Sequence, residues 1–241
     1  MSRIAVLLPP SETKAVGGGD VPWTPGACAL PALDAARLEV LGALAVDVGA
    51  EPTMAAIERY TGVLYRELDW ASLPGLARKR GRRWLVTFSG MWGAVAPDDP
   101  IPYYRLKMSA SVPPLGRLST FWRPRLTAAL TPRLRGRVVW DLLPGEHAAA
   151  WTPSEVPYRR RLVVRFVDAD GRTVSHWNKL LKGALVRRLL LEPTTDPLEL
   201  AGWRHPAGYQ FDRPGSDLDA EPGVVVFRRP GHIPRRLPGS G

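Results

Sequence analysis

The chain of 241 residues contains little of several residue types, and each shortage excludes a class of protein. Its one cysteine, Cys28, allows neither a disulfide within the chain nor a cysteine-based zinc site, and is expected to fill a small apolar space. With four histidines besides, and no glycine-rich nucleotide fingerprint, we expect no metal site and no cofactor. No run reaches the roughly 18 apolar residues of a transmembrane helix, and the apolar segment 4–8 is too short for a signal peptide. The sequence therefore predicts a soluble, cytoplasmic protein without membrane contact.

Lysine is scarce although the chain is strongly basic. Only five of the 33 basic residues are lysine, and the net charge is +10. Such an excess favours polyanionic partners, nucleic acid or phosphorylated small molecules, although an arginine-rich genome would produce the same charge without such a role. Lysine is expected where a compact ammonium is needed instead of a planar guanidinium. Four of the five lie in short polar motifs, at Lys14, Lys107, Lys179 and Lys182, whereas Lys79 lies in a basic run.

The hydrophobic pattern predicts alternating strands and helices. Continuous apolar runs indicate buried strands at residues 4–8, 84–88, 137–142 and 224–228. Helical spacing indicates helices at 33–48, 54–65 (with a possible break at 60–62), 71–80, 119–129, 146–151 and 179–191. An Asp-Gly turn at 168–171 predicts a hairpin between 161–167 and 173–176, and the proline-rich stretch 97–102 is expected to be a loop.

No internal repeat or linker divides this pattern. We therefore expect a single α/β domain (α+β mixed) over residues 1–229, with a central mixed sheet flanked by helices and a basic cleft at the strand ends. The Pro/Gly/Arg tail at residues 230–241 is expected to be disordered. The pattern leaves the oligomeric state open.

Polar residues gather just after the predicted strands, where α/β proteins commonly bind ligands. Two pairs of cations among them favour an anionic ligand. Arg105 and Lys107 would share one face of an extended segment and repel each other unless an anion lies between them. Lys179 and Lys182 would oppose the dipole at a helix start unless an anion binds there. The expected anion-binding or substrate-binding residues are Ser11, Ser89, Tyr104, Arg105, Lys107, Asn178, Lys179 and Lys182.

The same cleft contains side chains able to transfer protons. The candidate catalytic residues are Glu12, Lys14, Glu146, His147 and His176. Ser89 is not expected to be a nucleophile, because Thr87 replaces the first glycine of the Gly-x-Ser-x-Gly frame. An alternative is that these motifs form an ion-pair network that only stabilises the fold. Basic runs at 78–83 and 159–161 are further candidates for nucleic-acid contact.

The order and spacing of the motifs resemble the YaaA peroxide-stress protein family over residues 7–212. The likeness is carried by Leu-Pro-Pro-Ser-Glu-Thr-Lys at 8–14, Tyr-Thr-Gly-Val-Leu-Tyr at 60–65, Ser-Gly-Met-Trp-Gly at 89–93, Tyr-Arg-Leu-Lys-Met at 104–108, Phe-Trp at 121–122, and Ser-His-Trp-Asn-Lys at 175–179 followed by Lys182 and Gly183. The chain differs from that pattern at residues 142–147, and its region between 44 and 60 is short.

This resemblance implies a mixed α/β fold with a positively charged cleft, DNA binding through a helix-hairpin-helix-like element, and a role in limiting iron-driven oxidative damage. No enzyme activity is generally established for the family, although the cleft looks like an active site. Two functions are therefore open. One is a cytoplasmic protein that binds DNA in the peroxide stress response. The other is an enzyme of specialised metabolism that uses the same cleft on a small anion, such as a nucleotide, an acyl phosphate or an amino-acid derivative.

Overall fold

A computed structural model of the protein describes residues 4–47, 51–173 and 175–229, without the side chains of Ser175 and His176. The predicted tail at 230–241 lies outside these residues. Within the described ranges the chain forms seven α-helices, eleven β-strands and four short 3-10 helices. A seven-stranded mixed sheet lies at the centre, which confirms the predicted mixed α/β fold.

The strands and their order define the two edges of this sheet. The strands are β1 (Ile4–Leu8), β2 (Thr53–Ala55), β3 (Leu85–Ser89), β4 (Gly93–Val95), β5 (Pro100–Pro102), β6 (Ser111–Val112), β7 (Gly116–Arg117), β8 (Val138–Asp141), β9 (Arg160–Val167), β10 (Gln210–Phe211) and β11 (Gly223–Arg228). The central sheet has the order β10-β11-β9-β8-β1-β3-β4. Its five inner strands are parallel. Their ends after Leu8, Ser89 and Asp141 therefore form one side, the carboxyl edge, and their starts form the opposite amino edge.

Helices cover both faces of the sheet. They are α1 (Asp34–Ala43), α2 (Ala56–Arg59), α3 (Val63–Leu68), α4 (Gly75–Trp84), α5 (Leu118–Leu134), α6 (Gly145–Ala148) and α7 (Ser175–Leu191). All five residues of β1 are apolar and buried, as in a parallel strand covered on both sides. Alternate residues of β1 enter two core clusters, one with side chains of α3, α4 and α7, the other with side chains of α1 and α5. No helix in the described ranges is long and apolar enough to cross a membrane.

The predicted hairpin after β9 is wrong. β9 pairs in parallel with β8 and β11, and in the described part of residues 173–176 a single bridge forms, from Thr173 to Val167. The Asp-Gly turn itself forms, since Gly171 has a φ of 79° and donates to the carbonyl of Asp168. Beyond the turn the chain enters α7 at once, because that helix buries apolar side chains such as Leu181 against α3 and the sheet.

The helix predicted at 54–65 is interrupted, with residues 53–55 in β2 and a break at 60–62 between α2 and α3. The stretch 97–102 is not entirely loop, because Pro100–Pro102 forms β5 and pairs with β2; proline is tolerated in such a short, two-stranded edge. The predicted helix 119–129 extends to Leu134 despite two internal prolines, because apolar side chains spaced four apart stay buried.

Other boundaries of the predicted helices also shift. Helix 33–48 is shorter, since α1 ends at Ala43, and residue 48 lies outside the described residues. The helix predicted at 71–80 is found at Gly75–Trp84 instead. The short helix predicted at 146–151 is found at Gly145–Ala148.

Cys28 is a buried apolar filler, as predicted. Its Sγ accepts a 3.4 Å hydrogen bond from the indole of Trp23. Burial raises the pKa of this thiol to about 11, so the sulfur stays protonated and unreactive at neutral pH.

Candidate functional site

The loop after β1 is held by backbone and hydroxyl contacts at the carboxyl edge. The buried Ser11 accepts a 2.7 Å hydrogen bond at Oγ from the backbone N–H of Gly62, at the start of α3. A Cβ at Gly62 would collide with that hydroxyl, so this close approach requires glycine. The backbone of Lys14 forms an isolated antiparallel β-bridge with that of Tyr60, and Nζ of Lys14 donates to the carbonyl of Ser11 at 2.7 Å. The loop therefore holds the ammonium of Lys14 in one place.

Two tyrosine rings surround this ammonium. Nζ of Lys14 lies 4.2 Å from the ring centroid of Tyr104 and 5.7 Å from that of Tyr60. Burial lowers the pKa of Lys14 to about 8; the charge of Arg105 lowers it further and that of Glu12 raises it. Part of the Lys14 population is therefore an uncharged amine near neutral pH.

A chain of buried hydroxyl groups lies under Lys14. Tyr104 Oη is 2.8 Å from Ser89 Oγ and 2.8 Å from Tyr60 Oη, and Ser89 Oγ accepts from the backbone N–H of Trp92 at 3.0 Å. Burial raises the pKa of Tyr104 to about 12 and that of Tyr60 far above its usual value, so both phenols stay protonated. Ser89 lies at the end of β3 and links these hydroxyls to the turn that follows.

A second cluster lies at the end of the neighbouring strand, β8. The buried carboxylate of Asp141 pairs with Arg161 at 2.8 Å and accepts from the backbone N–H of Leu143 at 2.9 Å. The ammonium of Lys182, from α7, donates to the carbonyl of Leu142 at 2.6 Å. Burial lowers the pKa of Lys182 to about 8, and the charge of Asp141 opposes that shift. A second lysine is thus withdrawn from water at this edge.

His147 is the least satisfied side chain of this cluster. It is 5% exposed, and neither ring nitrogen has a hydrogen-bond partner among the residues that the structure describes. The carboxylate of Glu146 is 3.6 Å from Nδ1. Burial lowers the pKa of His147 to about 4; Glu146 raises it and Lys182 lowers it. His147 is therefore neutral at pH 7 and has a free lone pair.

Asn178 lies one helical turn before Lys182 on the same face of α7. Its Oδ1 is buried and has no partner in the described part of the chain. α7 can lie close to α3 because Gly183 has no side chain. A Cβ at this position would overlap the carbonyl of Leu64. Since α3 begins beside the Ser11 hydroxyl, this packing connects the two clusters through one pair of helices.

The remaining predicted site residues are exposed, or their side chains lie outside the described residues. Five are exposed: Glu12, Arg105, Lys107, Glu146 and Lys179. Arg105 donates from Nε to the hydroxyl of Tyr103 at 2.9 Å. The backbone of His176 lies in α7, but its side chain lies outside the described residues. Because α7 begins at Ser175, Lys179 and Lys182 do not lie at its start, and the predicted helix-start anion site does not apply to them.

A set of arginines that the sequence analysis did not combine gathers at the amino edge. Arg133 Nη2 donates to the carbonyl of Leu85 at 3.3 Å, and Arg137 Nη1 donates to the carbonyl of Ile4 at 3.0 Å. The backbone N–H of Arg159 donates to the carbonyl of Arg137 at 2.8 Å. We call this set the arginine edge; it consists of Arg82, Arg83, Arg133, Arg137 and Arg159.

The arginine edge concentrates like charge. Burial lowers the pKa of Arg137 and the charge of Arg83 lowers it further; burial and Arg137 likewise lower the pKa of Arg133. Beside these residues lies a cavity of about 410 Å³, lined by Arg159, Arg160 and Arg213 and also by the acidic residues Asp196 and Asp219. This cavity is opposite to the edge indicated by the sequence. The basic runs 78–83 and 159–161 were the sequence signal for the arginine edge. It is the strand order that brings both runs to the amino edge of the sheet.

The fold and these residues together define a mixed α/β protein with polar clusters after the strands and arginines before them. Comparison with known proteins agrees with that class. A family model described as "Peroxide stress protein YaaA" matches residues 32–214. The chain belongs to this family and is a peroxide-stress-related protein, which confirms the resemblance in its motifs.

Curated relatives cover most of the chain. A UPF0246 protein of Streptomyces coelicolor is 38% identical over 240 residues, covering 86% of this chain and 91% of the relative. A UPF0246 protein of Corynebacterium glutamicum is 34% identical over 215 residues, with 77% and 84% covered. Another, from Corynebacterium efficiens, is 32% identical over 216 residues, with 78% and 85% covered.

Proposed function

We propose that this cytoplasmic protein binds DNA through the arginine edge as part of its peroxide-stress role. The observation that carries the proposal is the convergence of two basic segments, distant in sequence, at one end of a parallel sheet. Arg82, Arg83 and Arg159 are exposed there, and guanidinium groups suit contact with phosphate oxygens. Arg82 already pairs with Asp98 at 2.6 Å. Exposed guanidinium groups such as those of Arg83 and Arg159 would displace the counterions that are condensed on the phosphates.

The carboxyl edge is less suited to a duplex. Lys182 is buried and Lys14 is half-buried, so two of the five cations predicted for this edge do not protrude far enough to follow a phosphate backbone, whereas Arg105, Lys107 and Lys179 are exposed. The exposed Arg83 and Arg159 at the amino edge meet that requirement. DNA binding is therefore proposed for the amino edge, and not for the strand-end cleft in which the sequence analysis expected it.

The test is a fluorescence anisotropy titration of a labelled duplex over a salt series. With about four or five phosphate contacts, the logarithm of affinity should fall with the logarithm of salt concentration with a slope of about −4. The double substitution Arg83→Gln with Arg159→Gln should weaken binding and reduce the slope by about 2. The control is Arg165→Gln with Arg172→Gln, which removes the same charge from exposed positions near the carboxyl end of β9. Equal losses for both pairs, or affinity independent of salt, would contradict the proposal.

A second candidate function is an enzyme that acts on a small anion at the carboxyl edge. Three buried groups with unused hydrogen-bonding capacity favour it: the imidazole of His147, the Oδ1 of Asn178, and the ammonium of Lys182, which has a single acceptor in the described residues. Leaving such groups unpaired costs about 1–3 kcal/mol each. A small molecule with anionic oxygens and an N–H or O–H group would satisfy all three.

In this candidate function, the predicted residues divide into two roles. Lys182 and Asn178 hold the ligand and neutral His147 accepts a proton, with Glu146 beside it. Glu12 and His176 remain candidates for proton transfer. The candidates for binding remain Ser11, Ser89, Tyr104, Arg105, Lys107 and Lys179.

Thermal unfolding with added inorganic phosphate, acetyl phosphate or adenosine monophosphate tests the second candidate. A ligand of the native state should raise Tm by mass action. Asn178→Leu should weaken that rise, whereas Lys79→Leu, at an exposed position of α4 outside the predicted site, should leave it unchanged. If none of the three anions raises Tm, or if both variants respond as the unmodified chain does, the second candidate is wrong.

A further inference from the structure

The ammonium of Lys14 is held unusually firmly for a lysine in a loop. On either side of it, the backbone of Thr61 donates to the carbonyl of Thr13 at 3.2 Å, and that of Ala15 donates to the carbonyl of Arg59 at 2.9 Å. The guanidinium of Arg59 is fully buried and binds the carbonyls of Ala15 and Gly17. The loop is thus fixed on both sides of Lys14, and little conformational entropy remains to be lost when a ligand reaches the amine.

Burial and the charge of Arg105 disfavour the charged form of Lys14, whereas the faces of the tyrosine rings and the carbonyl of Ser11 favour it. The Lys14 side chain forms no ion pair among the described residues, although the charge of the exposed Glu12 raises its pKa. The groups that face it are the rings of Tyr60 and Tyr104, the guanidinium of Arg105 and the more distant Glu12. With a pKa of about 8, about a tenth of the amine is neutral at pH 7. Burial beside a second cation is a known way to activate a lysine as a nucleophile.

A ligand can reach the amine of Lys14, and Arg105 lies where it can bind the negative end of that ligand. Lys14 is half-buried, so its Nζ is shielded but not sealed from solvent. The guanidinium of Arg105 is exposed and close enough to influence the charge of Lys14. A planar guanidinium binds a carboxylate through two hydrogen bonds. A small molecule with a carboxylate next to a carbonyl group would therefore present its carbonyl carbon to the amine while Arg105 holds its negative end.

We propose that Lys14 is an amine nucleophile that forms a Schiff base with a small 2-oxo acid, whose carboxylate is bound by Arg105. The neutral amine adds to the carbonyl carbon and gives a carbinolamine. The carbonyl oxygen then leaves as water, and a C=N bond to Nζ remains. The proton lost from the ammonium passes to solvent. This proposal rests on the second candidate function, since it assigns a substrate class to the carboxyl edge.

The test is reductive trapping with pyruvate and cyanoborohydride, followed by peptide mapping. The five lysines of the chain can be scored individually. Lys14 should be modified at least about tenfold faster than the exposed Lys79, Lys107 and Lys179. Modification of Lys14 no faster than that of these three overturns the proposal. Lys14→Arg, which retains a cation over the tyrosines, should remove the fast adduct while thermal unfolding shows that the chain is folded.

Arg105→Gln separates recognition from reactivity. This variant should need a higher pyruvate concentration for half-maximal trapping, whereas trapping of the uncharged aldehyde propanal should change much less. Equal effects on both compounds would overturn the role of Arg105. If pyruvate raises Tm but leaves no trapped adduct, the anion site survives and the nucleophile is rejected. If propanal reacts rapidly at Lys14 but no anion raises Tm, the nucleophile survives and the second candidate function is rejected.

Discussion

Lys182 of α7 donates a 2.6 Å hydrogen bond from its ammonium to the carbonyl of Leu142, the residue that follows β8. This single contact joins the helix to the strand end, and it places a buried positive charge next to the carboxylate of Asp141. The stability of the protein should therefore depend on pH in a way that can be assigned to individual side chains.

The first prediction concerns Lys182→Met in alkaline solution. The pKa of Lys182 falls from 10.5 to about 8 in the folded state, so the unfolded chain binds more protons between these values. The free energy of unfolding should rise with pH from about 8 to about 9.5, and Lys182→Met should reduce that rise. Urea unfolding at the two pH values measures it. Lys179→Met is the control, and an unchanged rise in Lys182→Met would refute the assignment. The remaining rise should come from Lys14, whose pKa is also about 8.

The second prediction concerns acid solution and His147. Its pKa falls from 6.5 to about 4 in the folded state, because protonation would place a charge in a buried site. Stability should decrease as pH falls from about 6.5 to about 4, and His147→Gln should make that decrease smaller. His205→Gln is a matched control, because His205 is also buried but accepts at Nδ1 from the backbone of Ala207. The same acid sensitivity in His147→Gln and the unmodified chain would contradict the prediction.

The third prediction concerns the contact between α3 and α7. Gly183→Ala would place a methyl group against the carbonyl of Leu64, and overpacking of this kind costs about 1–3 kcal/mol. Gly42→Ala in α1 has no atom within 4 Å of the new methyl group and should stabilise by up to about 1 kcal/mol. Chemical denaturation of both variants gives the comparison. A loss at Gly183 no larger than the change at Gly42 would mean that the helices separate easily.

The fourth prediction concerns the hydroxyl chain under Lys14. Tyr104→Phe removes the phenol that lies 2.8 Å from both Ser89 Oγ and Tyr60 Oη, and it should cost about 1–3 kcal/mol of stability. Tyr103→Phe removes a more exposed hydroxyl and should cost less than about 0.5 kcal/mol. Thermal and urea unfolding measure both. Similar costs in the two variants would show that the buried chain contributes little.

The central strands could be predicted from the sequence because their residues are apolar on both faces. Ile4–Leu8 and Leu85–Ser89 appear in the structure at or within one residue of the predicted ranges. From the predicted strands it followed that Ser11, Ser89 and His147 lie at or after strand ends. The sequence did not predict which site residues are buried. The burial of Lys182, for example, depends on the packing of α7 against α3 and on the position of Leu142.

The errors share one physical cause. Residues 173–176 were predicted as a strand because the Asp-Gly turn before them is typical of a hairpin, yet that turn is equally compatible with a helix that starts at Ser175. The choice is made by distant apolar contacts, which a local pattern does not contain. The arginine edge was missed for the same reason, because residues near 83, 137 and 159 become neighbours only through the order of the strands.

The parallel strands also fix a length. β1 has five residues, and at about 3.3 Å per residue it separates the amino edge from the carboxyl edge by roughly 17 Å. A duplex on the arginines and a small molecule on the amine of Lys14 would thus be ligands of opposite poles, too far apart to touch or to compete. Binding at one edge would therefore leave the other edge free, and both ligands could be bound at the same time.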